Sequence, residues 1–249
     1  TIHLSFNLRL PQYANNLKLR QALSMAIDRT VLADEVLKSG QKPLYSIVTP
    51  TIEDGKYAAV KYAWGDWPHN KQAALAQKLY GEAGYNSNHP LHVTLSYYNN
   101  DMNKKTCLAI AAMWKATLGV DVKLAVQELK AFYAAGHKGD FDIRLSTWGA
   151  DYNSVTTYTP LYQCGNANNY SAYCSKTYEA LIAQAAQTIS EDAQTKLYTQ
   201  AIQTALNDYP VVPLDQPAQQ RLVKPRVQNY QIDKNYLDNV QSKWFSLVN

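Results

Sequence analysis

Apolar positions along the chain switch between two periods, and the switches divide it into elements. Residues 1–10 alternate loosely as a strand, which Pro11 ends. From Asn16, a side chain suited to capping a helix, Leu19, Leu23, Ala26 and Ile27 share one helical face. A second helical stretch from Val31 stops before Gly40. The Pro-, Gly-, Tyr- and Trp-rich segment from Gln41 to Pro68 has neither period, and its length predicts a loop that offers a binding surface. Asn70 is expected to cap the next helix, with Leu75, Leu79 and Ala83 inward and Gly84 at the stop. "LHVTLSYY" sets Leu91, Val93, Leu95 and Tyr97 against His92, Thr94, Ser96 and Tyr98, as a half-buried strand does.

A helix from about Met102 to Leu118 follows, its inner face made by Ile110, Ala111, Trp114 and Leu118, and "VDVKLAVQ" is strand again. Strand, helix and strand at this spacing predict a βαβ unit and an α/β class. After a helical turn near "ELKAFYAAG" come the strand "FDIRLSTW", a loop over 149–173, and helices over about 175–189 and 191–207. Ser190 caps the second of these, Glu191 and Asp192 suit its positive end, and Leu197, Ala201 and Ala205 mark its core face. Beyond Pro210 only short extended pieces remain, so the tail is expected to pack on something else.

At 249 residues and 46% hydrophobic, the chain can bury a sizeable core. Its 24 basic and 20 acidic residues form no block of like charge, which argues against nucleic acid as a partner. No run approaches the roughly 18 to 20 apolar residues of a membrane span. "TIHLSFNLRL" lacks the cationic start, apolar block and cleavage site of a signal peptide, so no leader is expected there. Nineteen tyrosines and five tryptophans against four phenylalanines suit a binding surface, and equally a core that uses tyrosine.

The five histidines form no HExxH and no metal-ligand spacing, and GxSxG, P-loop and GxGxxG are missing. No catalytic residue, metal or cofactor is therefore expected. The acids in "GDFD" read as a solvated turn before the strand. Asp151 in "STWGADYN" differs because of its place: alternation puts Leu145, Thr147, Gly149 and Asp151 on one face, with Arg144, Ser146 and Trp148 on the other. Gly149 lets another backbone approach, an extended peptide could add to such an edge, and an aspartate beside it could pair with an α-amino group. An Asx-type turn cap is the alternative.

Cys164 and Cys174 flank a polar loop of turn-forming residues, so a disulfide is geometrically reasonable and points to an oxidising compartment. Two unrelated thiols are the other reading. Cys107 lies at an apolar helix position and reads as a buried free thiol.

"LSFNLRLPQYANNLKLRQALSMAIDRTVL" resembles the segment in which family 5 extracellular solute-binding proteins carry N-x-x-x-P-F and then V-R-x-A-L-x-x-A-I-D-R. Asn7, Pro11, Leu19, Arg20, Ala22, Leu23, Ala26, Ile27, Asp28 and Arg29 match that pattern. "WGADYN" resembles the family's W-x-A/G-D-Y-N/D, and "RLVKPRVQNY" its closing R-L-V-K-P-x-V-x-G/N-Y. Weaker agreement runs through "AQKLYGEAGY", "MWKATLGVDVKL" and "GHKGDFDI", so the resemblance covers nearly the whole chain in order. Within the family it looks like the oligopeptide-binding branch, while "CGNANNYSAYCSK" is closer to the dipeptide-binding branch, whose matching loop carries a disulfide.

The resemblance implies a periplasmic-binding-protein type II-like lobe, a mixed sheet with flanking helices, acting as the substrate-binding component of a peptide ABC importer. It implies a periplasmic or otherwise extracytoplasmic protein, lipid-anchored in some relatives, that serves a membrane permease and has no enzyme activity. It assigns Asp151 to the peptide's α-amino group and Thr147 and Gly149 to its backbone, with Trp148, Tyr152 and Asn153 beside them. Relatives place cations near the peptide C-terminus at positions that correspond to Asn103, Gly136 and Leu145 here, none of them charged; Lys104, Lys105 and His137 remain as candidates. The tyrosine-rich strand that follows the family's V-P is replaced by Leu214, Asp215, Gln216 and Pro217. Relatives are about twice as long and fold as two lobes. Residues 1–212 are thus expected to form the C-terminal lobe and 213–249 a segment that returns to an N-terminal lobe absent here, with swapping between copies as another outcome. Two alternatives stand: a non-peptide solute such as haem, a metal chelate or a murein peptide on the same fold, or a secreted hydrolase or interaction domain.

Overall fold

The computed structural model describes residues 1–230, 243 and 245–248. In chain order the elements are β1 (Ile2–Phe6), α1 (Pro11–Ala14), α2 (Leu17–Met25), α3 (Arg29–Val31), β2 (Lys42–Pro43), α4 (His69–Glu82), β3 (His92–Tyr98) and α5 (Asp101–Leu118). Then come β4 (Asp121–Gln127), α6 (Leu129–Lys138), β5 (Ile143–Thr147), α7 (Lys176–Gln187), α8 (Glu191–Asp208), β6 (Val211–Gln216), β7 (Val227–Gln228) and β8 (Ser246–Leu247). Six strands make one mixed sheet in the order β2-β6-β1-β5-β3-β4. β3 is parallel to β4 and to β5, whereas β1 is antiparallel to both its neighbours. The β3–α5–β4 unit is the βαβ crossover expected from the spacing, and the α/β class with flanking helices holds.

Caps explain most helix ends. Asn16, Asn100, Ser175 and Ser190 each accept a first-turn N–H, and Gly119 and Gly139 end α5 and α6 with φ of 74° and 73°. The expected cap at Asn70 is not formed, because Pro68 already stands at the N-cap position and its carbonyl accepts from Lys71 and Gln72. The inward face of α4 is wider than expected: Leu75, Leu79 and Ala83 pack partly buried against the core, and beside them Gln72, Ala76 and Tyr80 are buried, Gln72 donating to the Trp67 carbonyl and the Tyr80 hydroxyl accepting from Leu91 N–H. Beyond α3 the backbone widens into a π-helix over Leu32–Leu37, and Lys38 in the left-handed region closes it, two residues before the expected stop.

The segment 41–68 is not an open surface. Leu44, Ile47, Val48, Ile52, Tyr57, Val60, Tyr62 and Trp64 are buried, and Tyr62 stacks between Trp64 and Tyr209 at 4.8 and 4.6 Å. Apolar area drives this stretch inward although it has no regular period. β6 runs four residues past 212, buried to Asp215, and pairs with both β1 and β2. The sheet therefore takes in the first residues of the expected returning segment.

Three motif residues tie the elements together by hydrogen bonds to backbone. Asn7 donates to the Gly139 and Phe141 carbonyls at 2.9 and 2.8 Å. Arg20 donates to carbonyls of Tyr13, Ala14, Asp208 and Tyr209. Arg29 reaches Leu44 and Pro213 from Nε, Ser24 and Ile27 from Nη1, and the Ser24 hydroxyl from Nη2.

The two faces of the sheet differ in character. Leu4, Phe6, Leu95, Ile143, Leu145, Val212 and Leu214 lie in the main apolar core, where Trp114 of α5 donates to the Leu23 carbonyl. Register places His3 opposite Ser146, and Ser5 and Ser96 opposite Arg144, so the other face of the central strands is polar, and it too is buried.

Candidate functional site

Trp148 continues β5 past its last regular residue. Its N–H donates to the Thr1 carbonyl, and its own carbonyl accepts from the Thr1 ammonium. In an antiparallel ladder the backbone groups of the residues on either side then point the other way. Thr147 and Gly149 therefore turn their N–H and C=O groups away from β1. On that side β3 pairs with β5 at Ile143 and Arg144, and no described strand covers the rest. The result is a short open strand edge at Thr147 to Gly149, both exposed.

Gly149 has an informative surround. A Cβ there would meet no atom within 4 Å, and its φ lies outside the left-handed region. Neither packing nor conformation within the described residues requires a glycine at this position.

The loop after the edge is braced from the side. Asp151 N–H donates to the Thr157 hydroxyl and the Trp148 indole donates to the Thr157 carbonyl. Glu53 N–H donates to the Asn153 amide oxygen at 2.7 Å, while the Glu53 carboxylate accepts from Val155 N–H at 2.6 Å. Glu53 and Asp54 reach these positions through positive φ of 47° and 56°, so the 41–68 segment acts as a buttress for the site. Sequence reading missed this role, because the pairing joins residues about 100 positions apart and no local period marks it.

The Asp151 carboxylate is exposed and accepts no hydrogen bond from a described residue. The turn-cap alternative is thereby removed: this side chain caps no described residue. Tyr152 lies beside it, 49% exposed, its hydroxyl accepting from Thr156. Trp148 is half-buried and folds back over the polar face of the sheet, where it lines a small cavity with His3, Ser5, Ser146, Tyr162 and Ser171.

Burial first, then the charges of the Thr1 ammonium and Arg144, push the His3 imidazole down to about 3. A folded-state pKa below the unfolded value means that stability is whole above about pH 6.5 and is lost as pH falls toward 3. Urea midpoints at pH 7 and pH 4.5 should therefore differ less in His3→Asn than in the parent. An equal acid loss in both would remove His3 from the account.

None of the three carboxylate candidates, exposed Lys104 and Lys105 of α5 and His137, is brought to this loop by a contact among the described residues. Lys104 is exposed on the first turn of α5, its ammonium with no hydrogen-bond or ion-pair partner among the described residues, while neighbouring Asn103 is buried on the Tyr98 carbonyl. His137 sits at the end of α6, its Nδ1 3.2 Å from the Ala167 carbonyl. It lines a separate groove with Arg9, Gly136, Asn169, Tyr170 and both half-cystines.

Cys164 and Cys174 form a disulfide across that loop, and Cys107 is a buried free thiol whose pKa burial raises. Closing so short a loop stabilises by about 3 kcal/mol on chain-entropy grounds. Cys164→Ser/Cys174→Ser should lose that amount in urea unfolding, and a thiol count on denatured, unreduced protein should find one; three would refute the bridge.

The profile described as bacterial extracellular solute-binding proteins, family 5 Middle, matches residues 1–170. The chain belongs to that family. The periplasmic oligopeptide-binding protein OppA of Salmonella typhimurium is 35% identical over 229 residues, 92% of this chain and 42% of the relative. The periplasmic murein peptide-binding protein MppA of Escherichia coli is 32% identical over 233 residues, 94% of this chain and 43% of the relative. Among solved structures, Haemophilus influenzae OppA in complex with the peptide RPPGFSPFR superposes with a TM-score of 0.89 at 31% identity, covering all of this chain and 48% of that one. The chain thus spans about half the length of the family 5 relatives it matches. Family 5 proteins are solute-binding proteins, and the relatives named here bind peptides in the periplasm.

Proposed function

We propose that this chain is one ligand-binding lobe of the periplasmic substrate-binding component of a peptide ABC importer. The open β5 edge carries the reading. Thr147 and Gly149 offer outward backbone groups, Gly149 leaves room for a second backbone, and the unpartnered Asp151 carboxylate stands just beyond. An extended peptide would add to that edge by main-chain hydrogen bonds, with its α-ammonium on Asp151. Trp148, Tyr152 and Asn153 shape and brace the loop around the amine. The ligand would be held and not transformed, and transport energy would come from the permease's ATPase. Residues after β6 would return to the other lobe, without which the chain binds weakly.

The test is calorimetry on the complete two-lobed protein with tri- and tetrapeptides, each with a free and an acetylated amine. Free-amine peptides should bind far more tightly. Equal affinities would remove Asp151 from its role, and turnover of a peptide would overturn the non-enzymatic reading. Binding of haem, a metal chelate or another non-peptide solute in place of peptides would assign the same fold to a different cargo.

A further inference from the structure

Three arginines of this chain are buried to 6% exposure or less, and one of them is unlike the others. Arg20 and Arg29 have their guanidinium groups saturated by carbonyls and a hydroxyl. Arg144, 1% exposed, makes no side-chain hydrogen bond or ion pair among the described residues, and its Nε is enclosed with no acceptor among them. Its guanidinium lies 3.9 Å from the Phe132 ring centre and 4.1 Å from that of Tyr170, with Phe141 at 5.5 Å. Aromatic rings hold the flat cation within cation–π distance but leave its N–H edge unpaired among the described residues, and that edge matches the fork of a carboxylate.

We propose that Arg144 is the recognition group of a carboxylate-binding subsite on this lobe, whose counter-ion is an Asp or Glu side chain of the bound ligand; this rests on the peptide reading above. Two further observations point the same way. Gly136 of α6 makes the room: a Cβ there would stand 1.5 Å from Nη1 of Arg144. Gly136 and Tyr170 also form the wall of the groove that Arg9 and His137 line, and no carboxylate lines it. Burial lowers the Arg144 pKa to about 10, so the group stays cationic at neutral pH. His3, on the same face, is held neutral and supplies no counter-charge.

The place on the strand fixes which ligand residue is read. Arg144 precedes Thr147 by three strand residues, about 10 Å. An acid two or three residues in from an amine anchored at Asp151 falls within reach of it.

The experiment uses the complete protein and alanine tetrapeptides with a single Glu at position 2, 3 or 4, each matched by its Gln counterpart. At one position Glu should bind roughly tenfold more tightly than Gln, the margin of a charge-assisted pair over a neutral one. Arg144→Met, which keeps the stem, should bring that ratio to one. Gly136→Ala should do the same by a different route, since its methyl displaces the guanidinium without removing the charge. Asp151→Asn lowers both affinities and leaves the ratio, which separates the subsite from the amine anchor. A ratio of one at every position in the parent, or a ratio that survives Arg144→Met in protein with an unchanged melting curve, overturns the proposal. If no peptide binds, the peptide reading fails, and melting with acetate or glutarate decides the subsite. A stabilisation lost in Arg144→Met supports it; none, or one that persists, rejects it.

Discussion

Asp151→Asn in the complete protein is expected to weaken binding of a free-amine tripeptide by about 100-fold, the cost of leaving a desolvated ammonium without its partner. The ratio between free and acetylated peptides should fall to near one. Thermal stability should not change, because the carboxylate holds no described group and its loop is braced by its own N–H groups, which donate to the Thr157 hydroxyl and the Glu53 carboxylate. That combination separates a ligand group from a structural one. A variant that still prefers free amines would move the anchor elsewhere, and one that melts early would return Asp151 to the fold.

Arg29→Met is expected to show the opposite pattern. The guanidinium bonds carbonyls of Ser24, Ile27, Leu44 and Pro213, joining the α2–α3 turn to the segment after β2 and to the centre of β6. It also lies over Tyr45 and Trp64 at 4.9 and 5.2 Å. Methionine fills the volume but leaves four buried carbonyls short of donors, which costs about 3 to 5 kcal/mol in all. In a domain of this size that is a fall in Tm of roughly 10 °C. By comparison, Lys18→Ala, which breaks the exposed Lys18–Glu82 pair, should cost under about 1 kcal/mol. Scanning calorimetry on the three proteins reads the difference, and an Arg29→Met protein as stable as Lys18→Ala would show that water supplies the missing donors.

Where the sequence was readable, one local rule decided the outcome. Alternation through "LHVTLSYY" and the apolar face of Ile110, Ala111, Trp114 and Leu118 were enough for β3–α5–β4. The inward face of α4 is wider than its Leu75, Leu79 and Ala83 stripe because Gln72 and Tyr80 also go inside with their polar ends bonded, which a count of apolar residues cannot foresee. β6 reads as a short extended piece because Pro213 and Asp215 look unlike core strand; in the sheet Pro213 lies opposite His3, and its carbonyl accepts from Arg29. At the site, the family motif singled out Asp151, Gly149 and Thr147, and the structure shows why those groups are open. Arg144 was expected on the other side of the strand from Asp151, and its enclosure by Phe132 and Tyr170 could not be read, since the rings come from 12 residues before it and 26 after.

The position of β1 bears on when this molecule can fold at all. Ile2 pairs with Thr147 on one side and Asp215 on the other, so β1 is made long before either of its partners. β3–α5–β4 can close as soon as it leaves the ribosome, but the middle of the sheet must wait for Gln216, and such distant pairings are slow to form. Until then β1 offers bare edges to any passing strand. The architecture itself thus keeps the middle of the sheet open until β6 has been made.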